Sequence, residues 1–306
     1  MAEGDEADDA VADSRKRTTS RRDLSRAPRF EQVSPEVGEL DEQAIDEGMR
    51  EDPDEMLSML ADLVGATDQK LRELARRLAG RLFLDVARRG PVRPRGVGTM
   101  REVPYSPEGG DLDLDASMEA IVEGRVGGLD AERLRMRGWV RPATALCLLV
   151  DRSGSMGGRP LATAAVAAAA VATRSPADYA VLAFGKDVVV LKGQTTPKPS
   201  DMVVTDLLTL RGYGTTDLAG ALYVAGSQLA RSRAGRKVTV LLSDCRSTVD
   251  GDPIAAAAGL DELVIVAPEG DSDEAVSFAR SVGARLVTVS GPTEVADALS
   301  RALDRV

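Results

Sequence analysis

The sequence predicts an α/β protein: a doubly wound, mostly parallel six-stranded sheet with one antiparallel edge strand, preceded by a helical N-terminal region. Three observations predict this fold. Short apolar strands alternate with amphipathic or alanine-rich helices from residue 141 onward, a pattern typical of a parallel sheet covered on both faces. Only Gly185 and Lys186 separate two of the strands, so those two must form a hairpin. Apolar residues recur at helical spacing before residue 90.

Residues 1–35 are predicted to form a disordered, charged tail. An acidic block precedes a basic block at 15–29, and apolar residues are too few to offset the entropy lost on ordering. Residues 1–55 contain 18 acidic and 8 basic side chains, so the net charge of −10 arises entirely in this part of the chain.

Residues 36–140 are predicted to be mostly helical, with a linker near 90–97. One helix is indicated by Leu40, Ile45 and Met49, and a second begins near Pro53. A third helix is indicated by five apolar residues at helical spacing, Leu71, Leu74, Leu78, Leu82 and Val86. Its basic surface continues into the linker, so that residues 70–101 are rich in arginine.

The acidic run 111–115 is predicted to begin a helix. It resembles the start of a calcium loop, but Ala116 and Val122 stand where that loop needs Gly and Glu. We therefore expect Asp115 to cap a helix over 116–123.

The elements of the sheet domain, residues 141–306, follow from their apolar patterns. Strands are predicted at 143–150, 179–184, 187–192, 237–243, 262–267 and 285–290. Helices are predicted at 159–174, 217–232, 252–259, 272–282 and 292–304, with a short one near 200–209. The strands on either side of Gly185 and Lys186 form the hairpin that supplies the antiparallel edge.

The composition excludes several classes of site. Histidine is absent, which excludes Ser-His-Asp and Cys-His hydrolases and any His-ligated zinc or iron. We expect Cys147 and Cys245 to be buried free thiols in a reducing compartment. The longest apolar stretch, 161–173, is too short to span a membrane, and the acidic N-terminus does not resemble a signal peptide. We therefore expect a soluble, cytoplasmic protein with no membrane partner.

Oxygen-bearing side chains follow two predicted strands. Asp151, Ser153 and Ser155 follow the first, Asp244 follows the strand at 237–243, and Thr216 precedes a helix. Ligands of open α/β sheets bind beyond the carboxyl ends of the strands, and oxygen ligands suit Mg²⁺. Helix capping could explain the polar residues of each loop taken separately. It would not explain why Asp244 stands at the end of an apolar strand.

These residues resemble the metal-ion-dependent adhesion site of the von Willebrand factor A (VWA) domain, and the resemblance covers residues 141–306. It implies that Mg²⁺, or Mn²⁺, is held by Asp151, Ser153, Ser155, Thr216 and Asp244. The hydroxyls would contact the ion directly or through water, the aspartates mostly through water, and an Asp or Glu of a partner protein would complete the coordination. Thr215 and Cys245 stand where the family commonly has Gly.

The resemblance also implies a function. The chain is similar to VWA proteins that work beside MoxR-type AAA+ ATPases, to CoxE-like proteins and to the VWA part of magnesium-chelatase D subunits. It is therefore expected to be a non-enzymatic adaptor for metal-cofactor insertion or complex maturation, with an AAA+ ATPase as partner. The alternatives are a metal-dependent hydrolase and a nucleic-acid binder acting through 15–29 and 70–101. The scarcity of aromatic residues, 3% of the chain, argues against nucleic acid as a partner.

Overall fold

The computed structural model describes residues 18–89, 99–104, 111–127, 133–140, 143–152, 158–210, 212 and 214–304. These residues form two compact units. The first combines the N-terminal helices with residues 144–304, and the second contains the described residues between 99 and 143. No helix within the described ranges combines the length and the apolar character that crossing a membrane requires.

The described residues in the N-terminal part of the first unit form five helices. They are α1 (Arg21–Leu24), α2 (Phe30–Val33), α3 (Glu42–Glu51), α4 (Pro53–Leu63) and α5 (Gln69–Arg89). Asp41 and Asp52 cap α3 and α4 by accepting hydrogen bonds from backbone N–H groups, which stabilises each helix by about 1 kcal/mol. The spacing of the apolar residues predicted α3, α4 and α5.

The charged tail predicted over residues 1–35 differs from the structure in its last half. Residues 1–17 lie outside the described residues, but the chain beyond them forms α1 and α2. The guanidinium of Arg21 lies 5.0 Å from the centre of the Phe30 ring and donates a 2.7 Å hydrogen bond to the Ser34 carbonyl. The apolar side chains buried here are Leu24, Phe30 and Val33. Their burial, with this cation–π contact, offsets the entropy of ordering.

The described residues of the second unit form a three-stranded antiparallel sheet and one helix. Its elements are β1 (Thr99–Pro104), β2 (Asp111–Leu112), α6 (Leu114–Gly127) and β3 (Arg135–Val140). β3 lies in the centre, and Thr99 of β1 pairs with Val140. Helices α3 to α6 lie in the region 36–140 that was predicted to be mostly helical, but β1, β2 and β3 were not predicted, because their pairing joins residues that are far apart in sequence. At the start of β3, Leu134 and Met136 are buried and their neighbours are not, as in a strand with one buried face.

Asp113, and not Asp115, caps helix α6. Asp113 Oδ1 accepts a 3.1 Å hydrogen bond from the Ala116 backbone N–H, and Oδ2 accepts one of 2.7 Å from Arg137 Nε. These two hydrogen bonds hold the pKa of Asp113 below its usual value. The helix begins two residues earlier than the sequence predicted, because a partner on β3 fixes the capping carboxylate.

The C-terminal elements of the first unit are the six strands of the larger sheet and the helices between and after them. In chain order these are β4 (Thr144–Asp151), α7 (Gly158–Arg174), β5 (Tyr179–Phe184), β6 (Val188–Lys192), α8 (Ser200–Thr209), α9 (Leu218–Ala230), β7 (Arg236–Leu242), α10 (Pro253–Ala257), β8 (Glu262–Pro268), α11 (Asp273–Val282), β9 (Arg285–Val289) and α12 (Val295–Leu303). A 3₁₀ turn, Pro292–Glu294, precedes α12. The strand order is β6-β5-β4-β7-β8-β9, parallel except for β6. This sheet confirms the predicted fold.

Helices cover both faces of the sheet. Alternate residues of β4 point to opposite faces, so that Leu146 and Leu148 join one apolar core and Cys147 and Leu149 join the other. On the first face α7 packs between the sheet and the helices α4 and α5. Eleven residues of α7, mostly alanines, are buried, and small side chains let a helix lie close to its neighbours on every side.

Candidate metal centre

Two carboxylates lie at the ends of adjacent strands. Asp151 is the last residue of β4, and Asp244 follows β7 by two residues. β4 and β7 are hydrogen-bonded neighbours, with Val150 opposite Leu242. Ser243 Oγ donates a 2.6 Å hydrogen bond to Asp151 Oδ2, which joins the two strand ends directly. The register of the sheet therefore brings Asp151 and Asp244 to the same part of its carboxyl edge.

The turn after β7 has a left-handed backbone at Cys245, where φ is 66°. The Cys245 N–H donates a 2.8 Å hydrogen bond to Ser243 Oγ, which holds the turn in this conformation. Only glycine adopts it without steric cost, so Cys245 occupies a backbone position that favours glycine. Thr215, the other departure from the family pattern, has no left-handed φ and is exposed.

The thiol of Cys245 in this turn has a raised pKa. Burial, and then the charges of Asp244 and Asp151, raise the pKa of the Cys245 thiol to about 12. Both carboxylates therefore lie close enough to this thiol to raise its pKa. A cation placed here would gain from both charges.

Thr216 is held against the loop that follows Asp244. Its backbone N–H donates a 2.7 Å hydrogen bond to Thr248 Oγ1, and its carbonyl accepts one of 3.1 Å from the Thr248 N–H. Asp217 donates its N–H to the Gly185 carbonyl at 2.8 Å, which ties the same segment to the end of β5. Thr216 is 2% exposed, and its hydroxyl has no hydrogen-bond partner among the residues that the structure describes.

Ser153 and Ser155, the remaining predicted ligands, lie outside the described residues. The chain is described again from Gly158, the first residue of α7, where φ is 52°. The Gly158 N–H donates a 2.7 Å hydrogen bond to Asp62 Oδ1 of helix α4. The structure thus brings Asp151, Thr216 and Asp244 to one edge of the sheet and fixes both ends of the serine-bearing segment.

Arg246 adds a positive charge beside Asp244. Its backbone N–H donates a 3.0 Å hydrogen bond to Asp244 Oδ1, and its guanidinium lies 3.7 Å from Asp244 Oδ2. The guanidinium also pairs with Asp271 and lies 3.3 Å from Glu274. A hydrogen bond to Glu274 and the charge of Asp271 raise the pKa of Arg246. The strongest pairs of Arg246 are therefore with α11 and the loop before it.

The chemistry of the donors fits a hard divalent cation. The two carboxylates and the Thr216 hydroxyl lie on the same edge of the sheet, and all are oxygen ligands of the kind that Mg²⁺ and Mn²⁺ prefer. Within the described part of the chain, no three His, Cys, Asp or Glu side chains cluster as a metal site. A site here depends on hydroxyl groups as well as carboxylates, as the adhesion-site pattern does.

Four residues of this region were not singled out from the sequence: Asp62, Ser243, Arg246 and Thr248. Ser243 could have been found, because a hydroxyl next to Asp244 at the end of a strand also faces the crevice. Asp62 was harder to find. The only indication of a role is that it is a carboxylate in a helix turn whose other residues are apolar and buried. Arg246 and Thr248 act through tertiary contacts that no local pattern shows.

Several solved structures are similar to this chain. The proximal thread matrix protein 1 of mussel byssus has 15% identity and a TM-score of 0.41, and the match covers 53% of this chain and 47% of that protein. The manganese-loaded TRAP protein of Plasmodium vivax has 16% identity and a TM-score of 0.43, with 54% and 75% covered. The von Willebrand factor type A protein of Catenulispora acidiphila has 16% identity and a TM-score of 0.41, with 53% and 42% covered. Similarity at this level carries no conclusion about the function of this chain.

The family is shown by the sequence itself. No curated protein matches this chain significantly. Residues 87–267, more than half of the chain, match the family described as VWA domain containing CoxE-like protein. This match includes Asp151, Thr216 and Asp244, and it agrees with the six-stranded sheet and its antiparallel edge. The chain therefore belongs to the family of VWA domain containing CoxE-like proteins.

Proposed function

We propose that this chain is a metal-dependent protein-binding adaptor. Mg²⁺ or Mn²⁺ would be held by Asp151, Ser153, Ser155, Thr216 and Asp244, and an Asp or Glu of a partner protein would take the open coordination position. The observation that carries the proposal is the pair of carboxylates at the ends of β4 and β7, with Asp151 fixed by the 2.6 Å hydrogen bond from Ser243.

The hydroxyl ligand supports the same proposal. The Thr216 side chain is buried, and in the described part of the chain no residue hydrogen-bonds to its hydroxyl. A hydroxyl that no described residue occupies is available as a neutral oxygen ligand of a cation. When bound, the ion would supply an electrophilic position for an external carboxylate, because neutral hydroxyls leave more of its charge uncompensated than carboxylates do.

The partner and the setting are part of the proposal. Membership of the CoxE-like family supports an adaptor role, and the resemblance to VWA proteins that work beside MoxR-type AAA+ ATPases names the class of partner. We propose that the adaptor acts in the cytoplasm, in metal-cofactor insertion or complex maturation. Magnesium-dependent association of the purified chain with such an ATPase, lost in Asp151→Ala, is the expected result of a pull-down.

The two alternatives gain no support from the structure. A hydrolase would need a free acid or base beside the ion, but Asp217 and Asp252 cap α9 and α10. A nucleic-acid surface over 70–101 would need unpaired cations. Along α5, two of the exposed arginines form ion pairs instead, Arg81 with Glu42 and Arg88 with Asp85.

Calorimetric titration of Asp151→Ala tests the metal site. We expect the wild-type chain to bind one Mn²⁺ or Mg²⁺ and Asp151→Ala to lose this heat, while its circular dichroism stays unchanged. The matched control is Asp252→Ala, which removes a capping carboxylate from α10 and should keep the ion. A wild-type chain that binds neither ion at millimolar concentration would refute the proposal.

A further inference from the structure

A cavity of about 250 Å³ opens beside the two carboxylates of the candidate metal centre. It lies at the carboxyl ends of β4 and β7, below the first turns of α7 and next to the end of β9. Asp151, Ser243 and Asp244 form one side of it. The rest of the wall is mainly apolar and includes Val150, Pro160, Ala164, Leu242, Pro268 and Val289.

We infer that this cavity binds an apolar side chain of the partner, next to the acidic residue that reaches the ion. The inference rests on the proposed function, and it adds a second determinant of recognition. The committed occupant is a segment of a partner protein in which a Leu, Met or Phe lies within two positions of an Asp or Glu.

The size and chemistry of the cavity support this occupant. An apolar cavity of about 150 Å³ is large enough for benzene, so a space of about 250 Å³ has room for one large apolar side chain. A polar side chain would lose its water without gaining hydrogen bonds from the apolar part of the wall. An apolar one would gain the free energy of burial.

The positive charge of Arg159 on the rim of the cavity supports a partner segment that is acidic as well as apolar. Arg159 lies on the rim of the cavity, is exposed, and donates a 3.2 Å hydrogen bond to the Ser290 carbonyl. No carboxylate of the described residues forms an ion pair with it. With an ion neutralising Asp151 and Asp244, the rim would be positive, and opposite charge steers the encounter with an acidic partner.

Two fluorescent octapeptides test the inference. Both carry one Asp in a Gly-Ser background, and the residue after Asp is Leu in one and Ser in the other, so that their charge is the same. With saturating Mn²⁺ and wild-type chain, we expect fluorescence anisotropy to show about tenfold tighter binding of the Leu peptide, the size of effect that an apolar pocket gives. Chelation of the metal should abolish the binding of both peptides.

A matched pair of variants locates the preference in the cavity. Thr163 lines the cavity, and Thr173 lies at the far end of the same helix. Both are half-buried, and each donates a 2.8 Å hydrogen bond to the carbonyl four residues earlier. Thr163→Leu should narrow the cavity and reduce the preference for the Leu peptide to less than threefold, whereas Thr173→Leu should keep it.

Each outcome has a separate meaning. Equal, metal-dependent binding of both peptides would overturn the inference and leave the proposed function standing. The same preference in Thr163→Leu as in Thr173→Leu would also overturn it. Failure of both peptides to bind with metal present would overturn the inference, and calorimetry of the ion alone then decides the metal site independently. The comparison of the two peptides on the wild-type chain needs no variant, so misfolding of Thr163→Leu cannot hide the answer.

Discussion

The left-handed backbone at Cys245 is strained because this residue is not glycine. Its φ of 66° costs a non-glycine residue about 1–2 kcal/mol. We expect Cys245→Gly to be more stable than Cys245→Ala by about 1 kcal/mol, although it removes more atoms, because alanine keeps the strain. Urea unfolding of the two variants measures the difference. An alanine variant that is as stable as the glycine variant would contradict this prediction.

Cys147 links stability to pH. It is fully buried in β4, and burial raises the pKa of its thiol above the unfolded value of about 8.5. The folded chain therefore keeps this proton to higher pH than the unfolded chain. The stabilisation is fully present below about pH 8.5 and is lost as pH rises toward the folded pKa, by at most about 1.4 kcal/mol per pH unit.

The variant Cys147→Ala tests this linkage. It should be less stable than the wild-type chain at pH 7 because packing is lost, and its free energy of unfolding should fall less between pH 8 and 10. Urea titrations at three pH values compare the two slopes. Parallel slopes would contradict the assignment, since every other titrating group is shared by the two chains.

At the scale of elements, two carboxylates of helix α4 accept hydrogen bonds from backbone N–H groups at the start of α7 and just before α12. Asp62 Oδ1 accepts the 2.7 Å hydrogen bond from the Gly158 N–H at the start of α7, and Asp54 Oδ1 accepts one of 2.9 Å from the Thr293 N–H before α12. A Cβ at Gly291 would overlap the Asp54 carboxylate, so glycine is required for this close approach. Carboxylates at helix N-termini complement the helix dipole.

We expect Asp62→Asn to lower the free energy of unfolding by about 1 kcal/mol, because it removes a charge from the first turn of α7. The substitution keeps the size of the side chain, so packing changes little. Asp46→Asn is the control, since Asp46 is an exposed carboxylate of α3. Equal stability of the two variants in urea would show that the contact of Asp62 contributes nothing.

The elements of the large sheet could be predicted because their signals are local. Each of its six strands is an apolar run, and the structure places each within one residue of the predicted bounds. The small sheet could not be predicted, since β1 and β3 pair across many residues and β2 has only two. The charged tail was misjudged for the same reason: Arg21 finds its partners, Phe30 and Ser34, only after the chain turns back.

In the candidate site, too, the features with a local sequence signal could be predicted and those that depend on tertiary contacts could not. Asp151 and Asp244 could be predicted to lie on one edge of the sheet, because both follow apolar strands of one parallel sheet, and the VWA resemblance implied that these strands are neighbours. The bond from Ser243, the Thr248 contacts of Thr216 and the position of Arg246 depend on the register of neighbouring strands and loops. The cavity beside the carboxylates depends on β9 and α7 as well, so no single motif indicates it.

At the scale of the molecule, the N-terminal helices complete the core of the first unit. α4 and α5 pack on α7, and together they bury the large side chains of Met56, Leu57, Met59, Leu60, Leu63, Leu71 and Phe83. At about 2 kcal/mol for each, this burial is comparable to the net stability of an ordinary domain. The sheet and these helices therefore form one folding unit.

A chain that begins at residue 94 tests this conclusion. We expect it to aggregate or to lack a cooperative thermal transition, because the outer surface of α7 would be an exposed apolar face. Size-exclusion chromatography and circular dichroism against the full chain provide the measurement. A truncated chain that is monomeric and unfolds cooperatively would show that the helices are an accessory rather than part of the core.

Arg246 determines which charge a cation at Asp244 would have to displace. Its guanidinium lies 3.7 Å from Asp244 but pairs more closely with Asp271 and Glu274. If the proposed cation binds Asp244, the guanidinium would keep these two acidic partners. Binding of the cation would therefore exchange one partner of Arg246 without leaving its charge unpaired.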